Sequence, residues 1–192
     1  MPYMRESKAR NIYLEIIDLL DDRKLLPHEF VEVMMTAYES QKNLPDRSVH
    51  GRFFEYVVGE TLAQNGVERM YYQAEVRHVP LSTFDWFLFH ETHPVSISCK
   101  TKARDRWKQA AHEAMALKHV YVQATNYLVT IERVSASEDK KRLAPFTIDH
   151  FVVANKPEYT EAVINITRKR YEQAVDQSPI RNGDLVSPVC ID

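Results

Sequence analysis

The stretch TFDWFLFH (83–90), followed by ETHP (91–94) and VSISCK (95–100), decides the fold. Both apolar runs are short and rich in aromatic and β-branched residues, and the break between them ends in Pro94, so they predict two strands joined as a hairpin. In an antiparallel pair the start of one strand lies beside the end of the other. That pairing places Asp85 and Lys100 together at one edge of the sheet, a carboxylate against an ammonium.

Outward from the hairpin the pattern alternates between strand and helix. MYYQAEV (70–76) reads as a weaker strand, while ARDRWKQAAHEAMALKH (103–119) has helical propensity, with Trp107, Ala110, Ala111, Ala114 and Met115 toward a core. TNYLVTIERV (125–134) and FTIDHFVVANK (146–156) predict two further strands around the charged connection from Glu138 to Arg142. A last helix runs from Glu158 to Val175, and residues 176–192 form a tail without regular structure. In the N-terminal third, Ile12, Ile16, Leu19 and Leu20 recur at helical spacing, and Pro27 opens a second helix with Phe30, Val33, Met34 and Ala37 on one face. Ser48 caps a third helix, whose stripe of Phe53, Phe54, Val57, Val58, Thr61 and Leu62 stops at Asn65-Gly66. This order predicts an α/β domain on one central mixed sheet flanked by helices, with residues 1–45 as a helical N-terminal extension and 48–175 as the core.

The chain's 192 residues suffice for one domain with a substantial core. Gly51, Gly59, Gly66 and Gly183 never reach the spacing of a phosphate-cradling loop, so no nucleotide cofactor is expected. Cys99 and Cys190 stand far apart, which argues against a disulfide framework or a thiolate zinc site and for a reducing, cytoplasmic setting. Charges interrupt the apolar residues of MPYMRESKARNIYLEII, and no apolar run reaches the roughly 18 residues of a membrane span, so neither a leader nor a membrane partner is expected. Lys and Arg number 25 against 27 Asp and Glu, a net charge of −2, so any contact with nucleic acid has to be local.

One region concentrates chemistry. A carboxylate at Asp85 can hold Mg²⁺, which takes one or two protein carboxylates plus waters and phosphate oxygens. Lys100 beside it can orient or activate a water and offset charge building on a phosphoryl group. Lys100, Lys102, Arg104, Arg106 and Lys108, opposed only by Asp105, form a cationic cluster suited to phosphate contacts. Within it, Trp107 is expected in the core rather than stacked on a base. His90 and His93 lack the spacing of a zinc-binding helix and are expected at the surface. His119 either supports the site or sits against the C-terminal dipole of its own helix. The Cys99 thiol is expected in the core.

Gly51-Arg-Phe-Phe-Glu55, Phe84-Asp85 and Ile97-Ser98-Cys99-Lys100 together resemble the PD-(D/E)xK nuclease superfamily, where a helical Glu, a strand Asp and an acidic-x-Lys triplet form the active site. Ser98 occupies the acidic position of the triplet. Glu113, thirteen positions after Lys100, makes the chain similar to type II restriction endonucleases whose second acidic residue has moved to the following helix. Such a move is physically reasonable, because Arg106, Ala110, Glu113 and Leu117 share one helix face and a long Glu can reach the same ion.

The resemblance implies a restriction-endonuclease-like sheet and a Mg²⁺-dependent, type II site-specific deoxyribonuclease acting on double-stranded DNA. Asp85 and Glu113 would bind the ion, the Cys99 backbone carbonyl would complete the site, Glu55 would assist (with Glu60 as its substitute), and Lys100 would serve catalysis. Ser98 and His119 would lend support, and Lys102, Arg104, Arg106 and Lys108 would contact phosphates. Sequence-specific recognition usually buries about 1,000–2,500 Å² of protein on a positively charged face. With a net charge of −2 that face is missing. The chain therefore also resembles the small cleavage subunits of heterodimeric type IIS restriction enzymes, which implies a larger recognition and nicking subunit as partner in a bacterial cytoplasm. Two alternatives stand beside this: a self-sufficient homodimeric enzyme, and a non-catalytic interaction protein on a nuclease-like fold.

Overall fold

The computed structural model describes residues 7–20, 25–41, 47–102, 107–131, 147–174 and 180–186. Six strands, β1 (Met70–Val76), β2 (Phe84–Leu88), β3 (Val95–Lys100), β4 (Thr125–Thr130), β5 (His150–Val153) and β6 (Ile180–Val186), form one sheet in the order β5-β4-β3-β2-β1-β6. β1, β2 and β3 pair antiparallel, with Trp86 opposite Ile97 in the β2–β3 hairpin. β3, β4 and β5 pair parallel. The parallel β3–β4 step needs a crossover, which α4 (Trp107–Val120) supplies.

Helices cover both faces of this mixed sheet. α1 (Lys8–Asp18), α2 (Pro27–Glu39), α3 (Arg47–Gln64) and α5 (Pro157–Thr167) bury Tyr13, Met34, Phe53, Val57 and Val163 together with Trp86, Leu88, Ile97 and Val129 of the strands. On the other face α4 lays Ala110, Ala111 and Ala114 against Leu128, and Leu117 against the cluster around Phe84 and Phe87. Every residue of β2 is buried, as a strand covered on both faces requires.

Gly66, with φ of 93°, ends α3. The Gly66 amide donates to Ala63 O at 3.1 Å and the Val67 amide to Leu62 O at 3.0 Å, the paired bonds of a Schellman cap. Gly59 is required for packing instead of for a turn. A Cβ there would lie 2.0 Å from Cζ2 of Trp86, so the indole sits where only glycine leaves room.

Several expectations are corrected. The buried face of α1 is Ala9, Ile12, Tyr13, Ile16 and Ile17, and Leu19 is 80% exposed just past the helix end. In α2, Val31, Met35 and Tyr38 are buried while Val33 faces outward, because the core contacts a stripe two residues wide. Met115 lies on the outer side of α4. α3 begins at Arg47, so Ser48 is inside its first turn. α5 stops at Thr167, where the Arg168 and Lys169 amides close onto Ile164 and Ile166, short of the expected Val175. The largest difference is β6, in the expected tail. IRNGDLV has no alternation of apolar and polar residues, and its order comes from backbone pairing with the edge of β1, a contact invisible to local pattern. The expected charged connection, 138–142, lies outside the described residues.

Gly59→Ala should lower the unfolding free energy by about 1–3 kcal/mol, the range for overpacking a rigid site. A urea titration would measure it, and an unchanged midpoint would show that the indole moves aside.

Candidate active site

Register places the first two groups. With Trp86 opposite Ile97, Asp85 continues onto Ser98, and its carboxylate reaches the far end of β3. Asp85 Oδ2 accepts the Cys99 amide at 2.7 Å and the Lys100 ammonium at 2.9 Å. The sides of the pair are nearly enclosed, with 12% of the Lys100 and 10% of the Asp85 side chain exposed.

Glu55 arrives from α3. Trp86 Nε1 donates to its backbone carbonyl at 2.9 Å, tying α3 to β2 at this turn of the helix. Its carboxylate Oε2 accepts the Tyr72 hydroxyl at 2.7 Å and the Gln73 amide nitrogen at 3.1 Å. The same nitrogen donates to Asp85 Oδ1 at 3.2 Å, so one side chain joins the two carboxylates. Glu113 comes from α4 and is buried, with Gln109 Nε2 donating to it at 2.8 Å. The Ser98 hydroxyl is buried and has no hydrogen-bond partner among the described residues.

Crowded carboxylates set the electrostatics. Loss of solvent, and after it the charge of Asp85, pushes Glu55 up to about 7, against the opposing pull of the Tyr72 bond, Lys100 and Arg52. Burial also raises Glu113, partly offset by Gln109 and Lys100. For Lys100 burial acts downward, yet the charge and hydrogen bond of Asp85 outweigh it, and the ammonium is held above its usual range. Lys100 is therefore a fixed cation at neutral pH. Burial, then Asp85 and Glu55, drives the Cys99 thiol well up, so it is neither a thiolate ligand nor a nucleophile. Tyr72 is raised by burial and by Glu55, and its hydroxyl remains a donor.

The structure thus brings Asp85, Lys100 and Glu55 into one hydrogen-bonded group, with Glu113 within electrostatic reach of Lys100 and Asp85. Lys102 and Lys108 are exposed, and Arg104 and Arg106 lie outside the described residues. Glu60 accepts a bond from Gln64 along its own helix. His119 is exposed, its Nδ1 3.0 Å from the Met115 carbonyl one turn back, which is the helix-end placement. His90 and His93 stack on each other at 4.2 Å in the β2–β3 turn, at the opposite end of the hairpin from Asp85. Trp107 packs half-buried beside the cluster containing Ala110 and Leu128. Gln73 and Tyr72 carry no expectation from the sequence. Their one signal is a glutamine directly following two aromatic residues in a strand.

Could these residues hold a metal? Among the described residues no group of three or more His, Cys, Asp or Glu side chains is placed to cage an ion. Mg²⁺ does not require one, since it is commonly bound by one or two carboxylates and retains waters. Two carboxylates linked through one nitrogen, a third nearby and a buried hydroxyl with no partner among the described residues make an all-oxygen donor set, the kind that suits a hard divalent cation.

No family model matches the chain, and no curated protein matches it. Among solved structures, the chain is similar to the small subunit of the heterodimeric restriction endonuclease R.BspD6I, at 10% identity and a TM-score of 0.46, over 73% of this chain and 88% of that one. So shallow a likeness assigns this chain no activity; its fold class rests on its own sheet and helices. No helix among the described residues is long and apolar enough to cross a membrane.

Because folding raises Glu55 from 4.5 to about 7, the fold favours its protonated form. That contribution to stability is complete below the unfolded value and is lost as pH rises through about 7. In chelator, Glu55→Gln should therefore melt at a higher temperature than wild type at pH 8 and gain nothing at pH 4.5. A difference independent of pH would contradict this ionisation.

Proposed function

We propose that this chain is a Mg²⁺-dependent endonuclease that hydrolyses one strand of double-stranded DNA. The observation that carries the reading is the Lys100 ammonium 2.9 Å from an Asp85 carboxylate that shares the Gln73 amide with Glu55. An enclosed lysine fixed as a cation beside gathered carboxylates matches the needs of phosphodiester hydrolysis, where negative charge grows on the phosphoryl oxygens.

Asp85 and Glu113 would hold the ion, with Glu55 assisting and the Cys99 carbonyl completing the set. Bound there, a divalent cation would supply Lewis-acid polarisation of the phosphoryl group and lower the pKa of water. Lys100 acts as a donor to the phosphoryl oxygen and offsets its charge, a role that suits its raised pKa better than proton abstraction. The Cys99 amide holds the Asp85 carboxylate in one orientation, so it does not have to reorganise during reaction. Lys102 and Lys108 carry exposed positive charge just beyond Lys100, where flanking phosphates would lie, and Arg104 and Arg106 extend the same run in sequence.

The chain's net charge of −2 supports a second part of the reading, that a larger recognition subunit delivers the DNA and cuts the other strand. Alone, the chain should show little site-specific double-strand cutting, and addition of such a subunit should restore it. Robust site-specific double-strand cleavage by the isolated chain would favour a homodimer.

Asp85→Asn and Lys100→Met keep side-chain size and so avoid a cavity, although each leaves the other charge of the buried pair uncompensated, at a cost of up to about 3–5 kcal/mol. Each should reduce plasmid nicking by on the order of 10²-fold or more, with circular dichroism unchanged. Near-wild-type nicking by either variant would sink the assignment. Lys108→Ala should reduce the slope of log affinity against log salt by about one, measured by anisotropy on duplex DNA. An unchanged slope would return Lys108 to an ordinary solvated surface.

A further inference from the structure

Gln73 is the residue that the strand distorts to place. Its φ of 50° lies in the left-handed region, which side chains such as glutamine seldom adopt. The pairing of β1 with β6 shifts register between Tyr72 and Glu75, the irregularity of a β-bulge. β6 is shaped to the same spot: Gly183 has φ of 146°, and a Cβ there would meet Ala74 Cα at 3.0 Å. The result aims the Gln73 side chain at Glu55 and Asp85 together, at 3.1 and 3.2 Å.

Both acceptors are carboxylate oxygens, so the amide presents its nitrogen, carrying the positive end of its dipole. It occupies one side of the space that an ion shared by those two oxygens would take. Beside it opens a cavity of about 300 Å³, lined by Gln73, Arg52, Tyr72, Thr83 and Asn182, which leaves room for the amide to withdraw.

We propose that Gln73 is a positioning residue that stands in for the cation: it holds Glu55 and Asp85 together in the metal-free protein and is displaced when a divalent ion binds. This rests on the metal-assisted reading of the site. Binding then requires breaking two hydrogen bonds to charged acceptors, so Gln73 stabilises the empty site and weakens ion uptake.

The test uses the full chain in chelator-treated form, titrated with Mg²⁺ and Mn²⁺ by calorimetry and thermal melting. Gln73→Met retains length without the donor, and Gln73→Gly removes the donor while accepting the left-handed backbone, so one variant remains informative if the other does not fold. Both should melt lower than wild type without metal, show a larger ion-induced rise in melting temperature, and bind Mg²⁺ about five- to tenfold more tightly, the gain expected from not breaking those bonds. An ion-induced rise equal to or smaller than that of wild type would overturn the proposal while leaving the metal site standing. If wild type takes up neither ion, both the proposal and the metal-assisted reading fail.

Discussion

Asp85 accepts the Cys99 amide and the Lys100 ammonium on one oxygen, and both bonds depend on the register of the β2–β3 hairpin. A slip of one residue would turn every side chain of the moving strand to the opposite face. Asp85 would lose its lysine, and Trp86 would leave the core it shares with α3. Site and core therefore select the same register. Alternation along β2 makes this possible, since Asp85 belongs to the site while Trp86 fills the space left by Gly59 and bonds the Glu55 carbonyl. The catalytic candidates thus lie on elements whose relative placement is set by packing.

Much of this was legible because it depends on local pattern. The hairpin reads from two apolar runs and a proline-containing turn, α3 from its stripe and glycine stop, and the Asp85–Lys100 pairing follows from antiparallel geometry alone. What could not be read depends on partners distant in sequence. β6 is polar and owes its order to the backbone edge of β1, so it has no hydrophobic signature of its own. The outward side of Val33 and Met115 depends on where neighbouring elements end, a property of tertiary contact and not of periodicity.

The site divides along the same line. Asp85 and Lys100 are legible from antiparallel topology, and Glu55 and Glu113 are legible from the motif resemblance. Gln73 and Tyr72 are not; an uncharged glutamine in a strand suggests nothing until a bulge turns it toward two acids brought from β2 and α3. Bulges arise from the fit between neighbouring strands, here with Gly183 pressed close to Ala74, and a single strand's sequence does not contain that fit.

Gathering carboxylates has an electrostatic consequence that links stability to ligand. Among the described residues, Glu55, Asp85 and Glu113 converge on a site with one enclosed cation, Lys100, and their mutual repulsion opposes folding. The metal-free chain contains this repulsion by protonation, which Glu55 favours up to about pH 7, and by neutral donors, Tyr72, Gln73 and Gln109, each aimed at a carboxylate oxygen. Neutral donors do not cancel the charge, however, and a divalent cation does. On the proposed reading, such a site would be more stable with the ion bound than without it. On that reading, the same imbalance would reconcile a net charge of −2 with a polyanionic substrate. The chain's acidic excess is partly committed to carboxylates that a bound ion would neutralise, so a surface that met a phosphate would be less negative in the loaded protein than composition alone indicates.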